Sequence, residues 1–213
     1  MTDAPPLRGD AERNRRHLLH TAYDLMATGG LDVSYKEISR AAGMGMGTIY
    51  RRFPERDDLI DALFAEHIDA VTALAQECAA DPDAWKGLSD FLERQLQMEA
   101  GHRGLAELLR GRRQPYDLVR RGREQMTHLV SGMIARAVAA GQLRPEVTAA
   151  DFAAVYLMVG SLLDTTHDTA PDLWRRALTI ALAGLRHADL SSPGPEEDII
   201  DLLYKTDKPD RTP

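Results

Sequence analysis

Apolar residues recur along this chain at intervals of three and four, and alternating runs of β-branched residues are absent, so helix is predicted nearly throughout. A first helix is expected from about Glu12 to Ala27, with Leu18, Leu19, Ala22, Leu25 and Met26 on one face. Gly29-Gly30 ends it, since glycine tolerates the positive φ that helix C-caps use. Ser34-Tyr35-Lys36-Glu37 has the form of a capping box, in which hydroxyl and carboxylate each satisfy a free amide of the other residue. A short helix to Ala42, a tight turn at Gly43 and a second short helix over about Met46 to Arg52 follow. Pro54 and Glu55-Arg56-Asp57-Asp58 then open a long helix to about Ala79, with negative charge placed favourably at its N-terminus. Further helices are expected near 84–100, 103–111, 116–140, 148–168 and 171–188, punctuated by Gly101, Pro115, Gly141, Pro145 and Pro171. The expected fold class is all-α.

Two short helices around a glycine turn form a helix-turn-helix, a unit that places its second helix in the DNA major groove. The spacing over Ser34–Phe53 suits that geometry. Ile38 and Ala42 lie one turn apart, Ser39 is small enough for close helix approach, Gly43 makes the corner, and Met44 and Ile49 point inward.

Composition changes this picture only through the distribution of charge. The 213 residues carry a formal net charge of −7, which by itself argues against a nucleic-acid partner. Residues 13–56, however, sum to +4, leaving −11 for the remainder. A basic module is thus joined to an acidic body. One cysteine, Cys78, excludes an internal disulfide framework and a Cys-rich zinc site. The first residues lack the apolar stretch of a signal peptide, and no apolar run is long enough to span a bilayer, so a cytoplasmic location is expected.

Residues 15–60 resemble the TetR family of transcriptional regulators. Arg15-Arg16-His17-Leu18-Leu19-His20-Thr21-Ala22 is similar to the family's opening helix. Gly29, Ser34, Ile38-Ser39, Ala42-Gly43-Met44, Gly47-Thr48-Ile49-Tyr50, Phe53 and Arg56-Asp57-Asp58-Leu59 continue the series. Gly104–Leu109, Gly-Leu-Ala-Glu-Leu-Leu, resembles a stretch in the ligand domain of actinobacterial-type members. The resemblance implies an N-terminal three-helix DNA-binding domain over 1–56, ordered from about residue 12. It implies a helical ligand-binding and dimerisation domain over 57–188, and 189–213 reads as an acidic tail with a possible short docking helix at Ile199–Tyr204.

The resemblance also implies roles. Tyr50 would donate its phenol to a phosphate and Thr48 its hydroxyl to a phosphate or base edge, while Arg56 occupies the family's lysine position at the start of the long helix. Ser34 would bond a phosphate as well as cap, and Lys36, Arg51 and Arg52 add positive charge, with Arg13, Arg15 and Arg16 near the flanking backbone. Met46, Thr48 and Arg52 are the candidates for base reading, and Gly45 and Gly47 complete the set. The chain departs from the family at Gly45, where a polar residue is frequent, and at Met46, which can touch a thymine methyl but makes no bidentate contact.

The body's last two helices are apolar over most of their circumference, through Phe152, Val155, Tyr156, Val159, Leu162 and Leu163 and then Leu178, Ile180, Leu182 and Leu185. A homodimeric four-helix bundle is expected there, with Gly160 and Gly184 allowing close approach, and a twofold dimer calls for a near-palindromic double-stranded operator. Candidate effector contacts are Phe64, Ile68, Trp85, Phe91 and Gln95, with Met98, Met126, Val130, Met133 and Tyr156. Methionines, aromatics and few buried charges suggest a small, fairly apolar effector. Asp164, His167 and Asp168 share a helical face that reads as surface, and Cys78 as a buried small residue. No cofactor or metal is expected. A ligand-responsive repressor is the leading reading. Against an enzyme stand the missing nucleophile elbow, P-loop and dinucleotide fingerprint; control by a protein partner, through the acidic tail, is the other alternative.

Overall fold

The computed structural model describes residues 7–110 and 117–187, and the tail expected over 189–213 lies outside the described residues. Those residues form helices and short connections: α1 (Leu7–Gly29), α2 (Tyr35–Ala42), α3 (Met46–Arg52), α4 (Arg56–Ala79), α5 (Ala84–Glu99), α6 (Arg103–Arg110), α7 (Asp117–Ala139), α8 (Ala149–Thr166) and α9 (Leu173–His187). The all-α class is met, and the boundaries fall within a few residues of the periodicity, with α1 reaching further in both directions. A 3₁₀ turn at Gly30–Asp32, unforeseen in the sequence, follows α1 and starts from Gly30 at φ 71°.

Local chemistry explains the ends. Ser34 and Glu37 form the expected capping box of α2, and Gly43 closes that helix in the left-handed region at φ 64°, its N–H bonded to the Ser39 carbonyl. Ser39 does more than allow close approach: its hydroxyl donates to the Met44 carbonyl and ties the helix-turn-helix corner. Glu55 with Asp58 and Thr148 with Asp151 make the same reciprocal caps at α4 and α8.

The buried side chains form two clusters. One, in the body, joins Val71, Leu74, Leu88, Phe91, Leu96 and Met133 to Phe152, Val159, Trp174 and Leu178. The other gathers Leu18, Met26, Ile38, Ile49 and Phe53 around the three N-terminal helices. This second core runs past residue 56. It takes in Leu59, Ile60, Leu63 and Phe64 of α4, and Leu105 and Leu108 of α6. Helix α6 therefore belongs by sequence to the body and by packing to the N-terminal unit. Its Gly104 sits against α1 so closely that an added Cβ would meet Met26 at 3.0 Å.

Candidate nucleic-acid interface and effector cavity

Helix α3 is held from below by Ile49, fully buried, and the face that carries Gly47, Tyr50 and Arg51 is open. Gly45, Gly47, Tyr50 and Arg51 are exposed and Thr48 is half-buried, so five of the expected DNA-contact residues present themselves together. Ser34 and Lys36 are exposed beside them at the start of α2. Tyr50 is 52% exposed, and its ring stands edge-on to Tyr35 at 5.0 Å between centroids. Tyr35 is buried and donates its hydroxyl to the carbonyls of Phe53 and Glu55, both at 3.0 Å, which fixes the ring that Tyr50 leans on. Nothing in the sequence pattern marks Tyr35 for this role except an aromatic at the first position of a capped helix.

Three residues depart from expectation. Arg56 does not point outward: it is half-buried, and its guanidinium donates to the carbonyls of Leu31 and Val33, lying 6.0 Å over the Tyr35 ring. The carbonyls of Leu31 in the 3₁₀ turn and of Val33 at its exit accept from the planar guanidinium, which carries several donors in a fixed fork. Arg52 is half-buried and donates to the Ala11 carbonyl at 2.9 Å. Met46 is half-buried against the N-terminal core, as an apolar side chain at a helix start should be.

In the body, a cavity of about 110 Å³ lies among α4, α5, α7 and α8. Of the expected effector contacts, Ile68, Phe91, Gln95, Met126, Val130 and Tyr156 line it. Phe64, Trp85, Met98 and Met133 do not. Phe64 is fully buried in the N-terminal core, its ring 5.8 Å from Tyr23 and 6.0 Å from His102. Trp85 packs on the body core with the Arg186 guanidinium 5.5 Å over its ring. Met98, a turn beyond Gln95 at the end of α5, is 38% exposed, and Met133, two turns beyond Met126, is core.

The expectation of few buried charges fails next to this cavity. Glu99 is fully buried, and it accepts from Arg110, from the Tyr156 hydroxyl at 2.9 Å and from the Gln95 amide at 3.1 Å. Arg110 also binds Asp164 through two nitrogens, at 2.7 and 2.9 Å. Burial pushes the Glu99 carboxyl up against the opposing pull of Arg110, and burial pushes the Tyr156 phenol well up, helped by Glu99. Burial disfavours the Arg110 charge, yet Tyr156, Glu99 and Asp164 outweigh it and raise its pKa above the ordinary value. An added Cβ on Gly160 would come within 2.8 Å of the Arg110 side chain. Gly160 therefore makes room for Arg110, not for a facing helix. Asp164 is accordingly engaged, while His167 and Asp168 are exposed and 3.9 Å apart.

His67 is the second omission. It lines the cavity, is buried, and its Nε2 has no hydrogen-bond partner, a state that costs about 1–3 kcal/mol for a buried polar group. Burial, and then the neighbouring His102, lower its pKa to about 4. Its position was visible in the α4 stripe Phe64, His67, Val71, Leu74, where one polar residue interrupts an apolar row. Cys78, further along α4, is buried, and burial pushes its thiol up despite the Arg94 guanidinium beside it.

Helix α6 links the two regions. Glu107 accepts from the Leu31 amide at 2.7 Å and pairs with Arg103 on its own helix, while Leu109 lines the cavity and Arg110 bonds the Tyr156 of its wall. A capped helix-turn-helix seated on a helical body that holds a cavity defines the class: a DNA-binding transcriptional regulator. Residues 18–63 match the model described as bacterial regulatory proteins, tetR family, and residues 81–187 match that described as transcriptional regulator SbtR-like, C-terminal domain. The chain belongs to the TetR family of transcriptional regulators.

Among curated proteins, the chain is similar to the HTH-type transcriptional regulator SAR0097 of Staphylococcus aureus (strain MRSA252), 32% identical over 81 residues. The matched stretch is 37% of this chain and 42% of that protein, so this chain spans less than half of the curated relative. A TetR regulatory protein from Mycobacterium vanbaalenii superposes with a TM-score of 0.57 at 28% identity, over 85% of this chain and 100% of that one. The regulator FadR from Bacillus subtilis, in complex with stearoyl-CoA, reaches a TM-score of 0.63 over 80% of this chain and 98% of that one. At 16% identity the FadR likeness concerns the fold. Among the described residues no helix is long and apolar enough to cross a membrane.

Proposed function

We propose that this chain is a dimeric repressor that binds a near-palindromic operator and releases it when a small, fairly apolar effector enters the cavity. The observation that carries this reading is α6, which holds the 3₁₀ turn of the N-terminal unit through Glu107 and the cavity wall through Leu109 and Arg110. A ligand that displaces the wall acts on α6, and through it on the spacing of two recognition helices. The ligand must favour one arrangement over the other for that to release DNA. The exposed set on α3, with Lys36 and Ser34 beside it, supports the DNA contacts; the half-buried Thr48 joins it. Met158 on α8 and Ile180 on α9 are 61% and 63% exposed, which supports pairing of those helices with a second copy. The location is the cytoplasm, where its operator would be, and no enzymatic step is proposed. That FadR, of the same fold, is complexed with stearoyl-CoA supports a ligand-responsive reading.

Selection of bound fragments from random DNA tests the reading and supplies the operator for the second step. Tyr50→Phe should then weaken operator binding by about 1 kcal/mol with helix content unchanged, as for one lost hydrogen bond. Recovery of no common half-site would remove the operator model, and unchanged affinity of the variant would take the Tyr50 phenol off the DNA.

A further inference from the structure

Among the described residues, four polar side chains line the cavity: His67, Gln95, Thr127 and Tyr156. The Tyr156 hydroxyl already donates to Glu99 and accepts from Arg110, and the Gln95 amide already donates to Glu99. His67 Nε2 differs, because it is buried in the wall and has no hydrogen-bond partner. No Lys, Arg, Asp or Glu is among the described residues that line the cavity. Behind the wall, the Arg110 charge is already matched by Glu99 and Asp164. Among the described lining residues an anionic ligand finds no unmatched cation, and the imidazole, with its pKa of about 4, supplies none at neutral pH. A cationic ligand fares no better, since Glu99 already accepts from three donors. The remaining wall is apolar, with Ile68, Phe91, Met126, Val130, Phe152 and Leu157. A volume of about 110 Å³ is somewhat below the roughly 150 Å³ of an engineered cavity that takes benzene.

We infer that the cavity selects an uncharged molecule of about one aromatic ring or a short alkyl chain, carrying one hydroxyl or carbonyl that His67 Nε2 hydrogen-bonds. The orphaned nitrogen gives such a ligand a partner that neither an apolar nor a charged molecule of the same size exploits. An apolar molecule leaves the nitrogen unsatisfied, and a charged one must shed its hydration for a wall whose described residues offer no counter-charge. This rests on the reading of the cavity as the effector site.

Calorimetry on the full chain without DNA, with phenol, toluene and benzoate as probes, tests it. Phenol should bind the wild type and bind more tightly than benzoate. His67→Leu should weaken phenol about tenfold while moving toluene by no more than about twofold, and His67→Gln, which keeps a polar group, should fall between. No binding of phenol, tighter binding of benzoate, or equal losses for phenol and toluene in His67→Leu would overturn the inference. Should the variants fail to fold, the imidazole ¹⁵N signals of His67 in the wild type decide: they should shift with phenol and stay with toluene, and the absence of a phenol shift overturns it. A parallel measurement adds phenol to the operator complex. Phenol that binds through His67 without releasing DNA upholds this ligand chemistry and sinks the effector reading; release of DNA with no dependence on His67 does the opposite.

Discussion

His67 shows how one residue in an apolar stripe carries a measurable consequence. Folded, it is neutral down to about pH 4, because burial and then His102 disfavour its charge; unfolded, it takes a proton near its ordinary value of 6.5. The unfolded chain therefore binds more protons between those values. The stability associated with the neutral imidazole is full above about pH 6.5, declines as pH falls, and is lost by about pH 4. At pH 5 the loss relative to pH 7.5 should be about 2 kcal/mol. Urea denaturation of the wild type at the two pH values should show it, and His67→Leu should flatten most of the difference. His102, whose pKa burial also lowers, accounts for part of what remains. An unaltered pH dependence in the variant would place the titration elsewhere. Tyr35 is the counterpart at the DNA-binding end: it touches no expected ligand, yet two carbonyl contacts make it the support on which Tyr50 stands.

Among the elements, α6 has the most consequential placement, and its hold on the 3₁₀ turn can be tested by coupling. Gly30 adopts φ 71°, and an added Cβ would lie 2.5 Å from the Glu107 carboxylate that binds the next amide. Gly30→Ala should destabilise the chain by about 1–3 kcal/mol through both strain and collision. In a Glu107→Ala background only the backbone strain remains, so the cost of Gly30→Ala should drop; additive urea midpoints would show that the two residues do not meet. The same helix marks the boundary of what could be read from sequence. Its existence, like the caps at Ser34 and Thr148 and the corner at Gly43, follows from neighbours within four residues, and such local rules are legible in one chain. Where it would pack is not local. Glu99 meets Arg110 across eleven positions and Tyr156 across fifty-seven, and only the folded helices bring those three together. From sequence alone Gly160 therefore suggests helix contact, whereas in the fold it is the seat of the Arg110 side chain. Of the four expected cavity residues that do not line it, Phe64 falls in the other core, Trp85 and Met133 pack on the body core away from the cavity, and Met98 is exposed. Helical periodicity tells which positions favour burial but not what they will face.

At the scale of the whole molecule, the basic N-terminal stretch and the acidic body divide the labour that a total charge of −7 conceals. A net negative body would be repelled by the duplex, so contact should be confined to the module that bears the helix-turn-helix. A dimer would present that module twice, and it depends on the exposed apolar positions of α8 and α9. Ile180→Glu should yield monomers in sedimentation with the cavity and helix content retained, whereas a dimer that survives would need another face. Salt then distinguishes cations that meet phosphate from cations that hold the fold. Each phosphate neutralised contributes roughly −0.9 to the slope of log affinity against log salt. Arg51 is exposed on α3, so Arg51→Ala in a dimer should make that slope shallower by about 1.8, one phosphate contact for each protomer. Arg56 resembles the family's phosphate-binding lysine in sequence, but its guanidinium is turned to the carbonyls of Leu31 and Val33. Arg56→Ala should accordingly lower stability and leave the salt slope nearly unchanged. If Arg56→Ala flattened the slope as Arg51→Ala does, the guanidinium would have to leave those carbonyls on binding DNA, and the 3₁₀ turn that α6 also holds would be released with it.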